Sequence, residues 1–185
     1  MHKIWVADDD GAIRAVLEES FSSSGFDVRT FSSGDDVVTE LKLGVPDLIL
    51  TDVQMPGMLG YDLLKHINDN YENIPVIIMT AFTDMQAAVD SYGGGAFEYI
   101  PKPFDLDDIT QIINRALEKK PTTKGLKAKP KTDIIGESLS MQGGFRAIGK
   151  LSSTTATVLI QGESGTGKEL IAKSLHKNSP RYDMP

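Results

Sequence analysis

Lys3-Ile4-Trp5-Val6-Ala7-Asp8-Asp9-Asp10 is a short apolar run that ends in three consecutive acids. Strand-forming residues halted abruptly by carboxylates predict a β-strand over Lys3–Ala7, with its carboxyl end at the protein surface. The pattern then repeats along the chain. Apolar runs at Phe26–Thr30, Asp47–Leu50, Pro75–Met79 and Ala96–Ile100 alternate with stretches of helical period. That alternation is the signature of βαβ units and a mostly parallel sheet. The third and fourth runs are apolar without alternation, as strands covered by helices on both faces should be. Helical spacing recurs in Ile13, Val16, Leu17 and Phe21, in Leu63, Leu64 and Ile67, and in Ile109, Ile112, Ile113 and Leu117, so each segment can cover a sheet face. The expected class is α/β, a five-stranded, doubly wound parallel sheet.

A parallel sheet gathers the carboxyl ends of its strands on one edge, where open α/β folds bind ligands. That edge would receive Asp8-Asp9-Asp10 from strand one, Thr51-Asp52 from strand three, Thr80 from strand four and Pro101-Lys102 from strand five. Taken singly, Asp9 or Asp10 would cap a helix starting near Ala12, and Asp52 would open a turn before Pro56-Gly57. Their joint placement argues for chemistry instead. Clustered carboxylates repel one another unless a cation joins them, and a hard divalent ion such as Mg²⁺ suits an oxygen-rich site that also receives a phosphoryl group. Lys102 could then pair with phosphoryl oxygens and the Thr80 hydroxyl could bond a further one. Asp52 is the candidate nucleophile for covalent phosphoryl transfer.

Composition narrows the field further. The 185 residues are 40% apolar and 24% charged, with no cysteine, a soluble globular profile rather than a disulfide scaffold or a disordered chain. The first residues run straight into the acids with no signal-peptide apolar region, and the longest apolar stretches fall far short of the roughly 20 residues that cross a bilayer. No membrane association is expected, and the cytoplasm is the default location. Residues 1–120 hold 9 Lys and Arg against 21 Asp and Glu, whereas 121–185 hold 10 against 5. An acidic half of this kind is a poor nucleic-acid binder, because phosphate contacts need Lys and Arg. The chain alone is not expected to bind DNA.

Residues 120–132 carry two prolines, one glycine and five lysines with almost nothing to bury, which reads as a linker. The expected organisation is a domain over 1–120, a linker over 121–132 and an incomplete α/β segment over 133–185. Within that segment a helix is predicted around Leu139–Leu151, although Gly143-Gly144 weakens it. A strand is predicted at Thr157–Gln161 and a helix over 168–177. Between them Gly162-Glu163-Ser164-Gly165-Thr166-Gly167-Lys168 matches the phosphate-binding loop G-x-x-x-x-G-K, whose backbone amides cradle phosphates while Lys168 reaches the outer ones. Glu169 departs from the general pattern, which has Ser or Thr there for the metal.

Residues 1–120 resemble the receiver domain of two-component response regulators. The likeness rests on the acidic cluster after strand one, on Asp52 followed by Met55-Pro56-Gly57, on Thr80-Ala81 and on Lys102-Pro103-Phe104. It implies a flavodoxin-like receiver fold with Asp52 as phosphoacceptor, and Mg²⁺ held by Asp9, Asp10, Asp52 and the Gln54 carbonyl. Lys102 would contact the phosphoryl group, Thr80 and Tyr99 would form a switch pair that moves inward on phosphorylation, and the Lys102-Pro103 bond would be cis. The partner implied is a sensor histidine kinase, and a homodimer is among the assemblies the resemblance allows.

Gly162 to Glu169 resembles the Walker A loop of AAA+ activators that work with sigma-54 RNA polymerase, in which Glu169 is normal. Asp133-Ile134-Ile135-Gly136-Glu137-Ser138 and His176-Lys177-Asn178-Ser179-Pro180-Arg181 fit the same family. The resemblance implies ATP binding by Gly162, Glu163, Ser164, Gly165, Thr166, Gly167, Lys168 and Glu169, and for the intact relative sigma-54 RNA polymerase and enhancer DNA as partners. Taken together, the two halves resemble nitrogen-regulatory response regulators. A Walker B acid, an arginine finger, a sigma-contacting loop and a helix-turn-helix are missing from the 185 residues, so 133–185 is expected to be partly disordered alone and to hydrolyse no ATP.

Two departures from the receiver pattern carry expectations. Leu59 stands where Asp or Asn commonly caps the third helix, which predicts a weak helix start at a cost of about 1 kcal/mol. Gly93-Gly94-Gly95 replaces one glycine by three, which predicts a mobile end for the helix before it. Two rivals remain at this level: a P-loop ATPase with an incidental receiver, and an interaction module that works without phosphorylation.

Overall fold

The computed structural model describes residues 1–81, 94–118, 147–151, 154, 156–163 and 165–184. The expectations for the linker, for the helix before Gly93, for Ser164 and for most of Leu139–Leu151 lie outside them. The chain divides into two compact units. The first contains β1 (Lys3–Ala7), α1 (Gly11–Ser23), β2 (Asp27–Phe31), α2 (Gly34–Leu41), β3 (Leu48–Asp52), α3 (Gly60–Asn70), β4 (Val76–Thr80), β5 (Glu98–Pro101) and α4 (Leu106–Glu118); the second contains α5 (Lys168–Lys177).

The five strands form one parallel sheet in the order β2-β1-β3-β4-β5. Strand pleating sends alternate residues to opposite faces, and the core divides accordingly. Ile4, Val6, Leu48, Leu50, Ile77 and Met79 pack with Leu17 and Phe21 of α1 and Ile109, Ile112 and Ile113 of α4. Trp5, Ala7, Ile49, Val76 and Ile78 pack with Val37 and Leu41 of α2 and Leu63, Leu64 and Ile67 of α3. Strands β3 and β4 are buried at every position because both of their faces are covered.

Several boundaries move by one or two residues from the sequence expectation. β2 is Asp27–Phe31 rather than Phe26–Thr30, while β3 and β4 extend to Asp52 and Thr80. The two polar residues are therefore strand termini, since ladder pairing continues to Asp52↔Met79 and Thr80↔Pro101. In α1, Val16 is half exposed instead of covering the sheet, while Leu17 and Phe21 supply the buried face. The predicted strand at Thr157–Gln161 is not formed, and 156–163 is irregular. A strand is held by hydrogen bonds to a neighbour, and the five-stranded ladder does not include this segment. The helix over 168–177 is present as α5, and residues 147–151 are helical.

Local chemistry sets the element starts. The Ser33 hydroxyl accepts the Asp36 amide at 3.2 Å and donates to the Asp36 carboxylate at 2.8 Å, a reciprocal cap that opens α2. α3 begins after Leu59 with no side-chain cap, as its residue type requires. Gly60 there admits no substitute, because a Cβ would lie 2.0 Å from the Asp52 carbonyl oxygen.

Candidate phosphoryl-transfer site

The acidic residues after β1 divide by role. β1 alternates Ile4 and Val6 to the face shared with Leu48 and Leu50 of β3. Register pairs Ala7 with Thr51, so one step further Asp8 stands opposite Asp52 on that same face. Oxygens of Asp8, Asp9 and Asp52 lie within 4.8 Å of one another. Asp8 is fully buried, Asp52 is 7% exposed and Asp9 is exposed. Asp10 is not part of this group. Its carboxylate accepts the Ala12 amide at 2.8 Å and the Ile13 amide at 3.4 Å as the N-cap of α1.

The acid pair beside Asp52 is thus Asp8 and Asp9, not Asp9 and Asp10. Strand alternation was the signal that points to Asp8, since its even position continues Ile4 and Val6. The Asp10 amide donates to Asp8 Oδ1 at 2.9 Å. Arg14, one turn into α1, donates to the Asp8 carbonyl at 2.7 Å and to the Asp9 carbonyl at 3.0 Å. Sequence reading did not single out Arg14, whose role depends on the loop folding back over the helix.

Lys102, just past β5, donates to Asp8 Oδ2 at 2.7 Å and to Asp52 Oδ2 at 3.0 Å. The Lys102-Pro103 bond is cis. The Lys102 amide donates to the Thr80 carbonyl at 2.7 Å, and Asp52 Oδ1 accepts the Val53 amide at 2.7 Å. Burial pushes the Asp52 carboxyl above its usual range; the bond and charge of Lys102 oppose this, and Asp8 adds to it. Burial pulls the Lys102 ammonium down, but the bonds and charges of Asp8 and Asp52 outweigh that and hold it above its ordinary value.

Three carboxylates outnumber the Lys102 ammonium bonded to two of them and the Arg14 guanidinium on the backbone beside them, which leaves negative charge in excess at this rim. A hard divalent cation is the complement of that charge, and all the donors are oxygens, so the residues fit Mg²⁺. Gln54 lies two residues beyond Asp52, in the loop leading to α3. Thr80 and Tyr99 are both buried. Register sets Tyr99 opposite Ile78, one pleat before Thr80, so both occupy one sheet face. The Tyr99 ring lies inside the fold.

In the second unit, Gly165 and Gly167 adopt φ of 80° and 81°, the left-handed region that suits glycine. The Thr166 hydroxyl donates to the Glu163 carbonyl at 2.8 Å, closing the loop. Lys168 turns its ammonium onto the Gly162 carbonyl at 2.8 Å and onto the Glu163 carbonyl. Glu169 pairs along the helix with Lys173 at 2.7 Å, which holds its carboxyl below the usual range. Its side chain is therefore directed along α5.

Comparison with known proteins agrees with this geometry. The response regulator receiver domain family matches residues 4–114, and the sigma-54 interaction domain family matches residues 134–185. The chain is 47% identical over 186 residues to the DNA-binding transcriptional regulator NtrC of Klebsiella pneumoniae, covering 98% of this chain and 39% of that protein. Against NtrC of Escherichia coli K12 it is 48% identical over 187 residues, covering 98% and 40%. The chain thus spans about two fifths of the length of these relatives. The solution structure of the beryllofluoride-activated NtrC receiver domain is 45% identical with a TM-score of 0.52, covering 63% of this chain and 94% of that one. NtrX from Brucella abortus, in complex with ATP, is 27% identical with a TM-score of 0.61, covering 100% and 42%. With the acidic rim, the bridging lysine and the parallel sheet in place, the chain belongs to the response regulator receiver family, resembles NtrC over the part of NtrC that it spans, and matches the sigma-54 interaction domain family over residues 134–185.

Proposed function

We propose that Asp52 accepts a phosphoryl group from a phosphohistidine on a sensor histidine kinase, and that the whole protein thereby controls sigma-54-dependent transcription of nitrogen-regulated genes. The observation that carries this reading is Lys102 bridging Asp8 and Asp52 beside Asp9 at the carboxyl edge of the sheet. The edge lies where the chain reverses its direction of winding, between β1 and β3, the position at which such sheets bind ligands.

In the transfer an Asp52 carboxylate oxygen forms a bond to phosphorus while the P–N bond breaks. The electron pair stays on the imidazole nitrogen, which takes up a proton. Lys102 stabilises negative charge on the phosphoryl oxygens and moves its bond from Asp52 to them. Asp8, Asp9 and Asp52 with the Gln54 carbonyl would hold Mg²⁺, which supplies further charge stabilisation when bound. The Thr80 hydroxyl bonds a phosphoryl oxygen, and Tyr99 on the same sheet face stays inside behind it. Regulation is then a shift in a two-state equilibrium, driven by the added charge of the phosphoryl group.

Gly162 to Lys168 binds the phosphates of ATP in this proposal, with Lys168 exchanging loop carbonyls for phosphate oxygens. In this proposal the 185 residues act as a phosphoacceptor. The setting is the cytoplasm, in keeping with the absence, among the described residues, of any helix long and apolar enough to cross a membrane. Sigma-54 RNA polymerase and enhancer DNA are partners of the whole protein, and a homodimer is one assembly open to it.

Incubating the chain with Mg²⁺ and a small acyl phosphate tests the central step by intact mass. One added phosphoryl group is expected on wild type and none on Asp52→Asn. Absence of an Mg²⁺-dependent adduct from folded wild type would overturn the reading in favour of an interaction module.

A further inference from the structure

We propose that Asp35, on the first turn of α2, is a positioning residue for the loop between β3 and α3, and so for the Gln54 carbonyl carried by that loop. The metal side of this inference rests on the site described under the proposed function; the Asp35 contact itself does not. The Met58 amide donates to Asp35 Oδ2 at 3.0 Å, across 23 positions of sequence. The adjacent Gly57 has φ of 76°, and a Cβ on it would lie 2.2 Å from the same oxygen. Glycine at 57 is what lets the carboxylate reach the loop. On the other side, a Cβ on Gly34 would lie 2.9 Å from the Met58 carbonyl oxygen. Asp35 thus grips the Met58 amide, and the two glycines leave the room that lets α2 and the loop approach.

The grip matters because the usual anchor is missing. Leu59, the N-cap of α3, offers no side-chain acceptor. The loop is tied at its base, where the Gly60 amide donates to the Val53 carbonyl at 2.9 Å and Val53 and Met55 are buried. Its crest is tied by Asp35. A metal ligand drawn from a loop carbonyl is useful only if the loop is held still, since an ordered first shell depends on the groups behind it. An acid in the first turn of α2 is also favoured by the helix dipole.

Amide exchange at residues 54–59 in metal-free full chain, together with MgCl₂ titrations followed by amide chemical shifts, tests the proposal. Asp35→Ala is expected to speed exchange at Met58 and to weaken Mg²⁺ binding by roughly threefold or more, the scale of one lost hydrogen bond. Asp35→Asn keeps an acceptor oxygen and should stay close to wild type on both readouts, which separates the bond from the charge. Adding Leu59→Asp to Asp35→Ala should recover part of the lost affinity by anchoring the loop at its other end. Unchanged Met58 exchange in Asp35→Ala, or Asp35→Asn as weak as Asp35→Ala, would overturn the proposal. Wild type that binds no Mg²⁺ would instead sink the metal reading, and the exchange data would still decide whether Asp35 holds the loop.

Discussion

Asp52 sits where two demands conflict. The proposed transfer needs it ionised, yet burial and Asp8 raise its pKa while Lys102 only partly compensates. A carboxyl raised in the folded state contributes its full stability below its unfolded pKa and loses it as pH rises through the folded value. In metal-free buffer near pH 7 the ionised Asp52 therefore destabilises the fold, and Asp52→Asn should melt higher than wild type by roughly a few degrees. The gap should close as pH falls toward about 4, where both chains carry a neutral group. Lys102 follows the same sense at the other end of the scale: its raised pKa gives stability that is whole below 10.5 and is lost as pH rises through the folded value. Thermal melts across that range check the order, and saturating Mg²⁺ should reverse it by binding wild type more tightly. An unchanged gap between pH 4 and 7 would show that burial of Asp52 does not cost what its surroundings imply.

Elements assign different work to acids that are neighbours in sequence. The strand β1 carries Asp8 to the side of Asp52, whereas the start of α1 takes the Asp10 carboxylate for its own amides. Asp10→Ala is expected to lose about 1 kcal/mol of stability, the usual cost of a lost N-cap, and Asp10→Ser to restore most of it. Neither change should weaken Mg²⁺ binding as Asp8→Asn does, for which a loss of roughly tenfold or more is expected. Melting curves and MgCl₂ titrations of the three variants decide the matter. Equal loss of Mg²⁺ affinity in Asp10→Ser and Asp8→Asn would return Asp10 to the site. The departure at Leu59 was legible from its residue type alone, because leucine has no acceptor to give. Its counterpart Asp35 was not, since nothing local in Gly34-Asp35 tells which distant amide it will meet.

Across the molecule, the buried residues of both apolar clusters, among the described residues, lie between Ile4 and Ala116. A chain ending at Glu118 should therefore melt within roughly 4 °C of the full chain and take up a phosphoryl group at the same rate. Calorimetry and intact mass check this; a large drop in either would mean that later residues support the receiver. The sequence by itself determined the five strands of the sheet, the parallel α/β class, the acidic rim and the glycine-rich loop, though not the irregular course of 157–161, because apolar period and turn chemistry are properties of neighbouring residues. Boundaries shifted where ladder pairing reached further than the apolar run, by two residues at Asp52 and by one at Thr80. Only the tertiary structure decided which acids face Asp52, that Arg14 holds the carbonyls of Asp8 and Asp9, that Tyr99 lies inside, and that Asp35 reaches Met58. Each of these depends on the register and packing of segments far apart in the chain, and the energy that fixes such contacts is shared between elements rather than carried by any one of them.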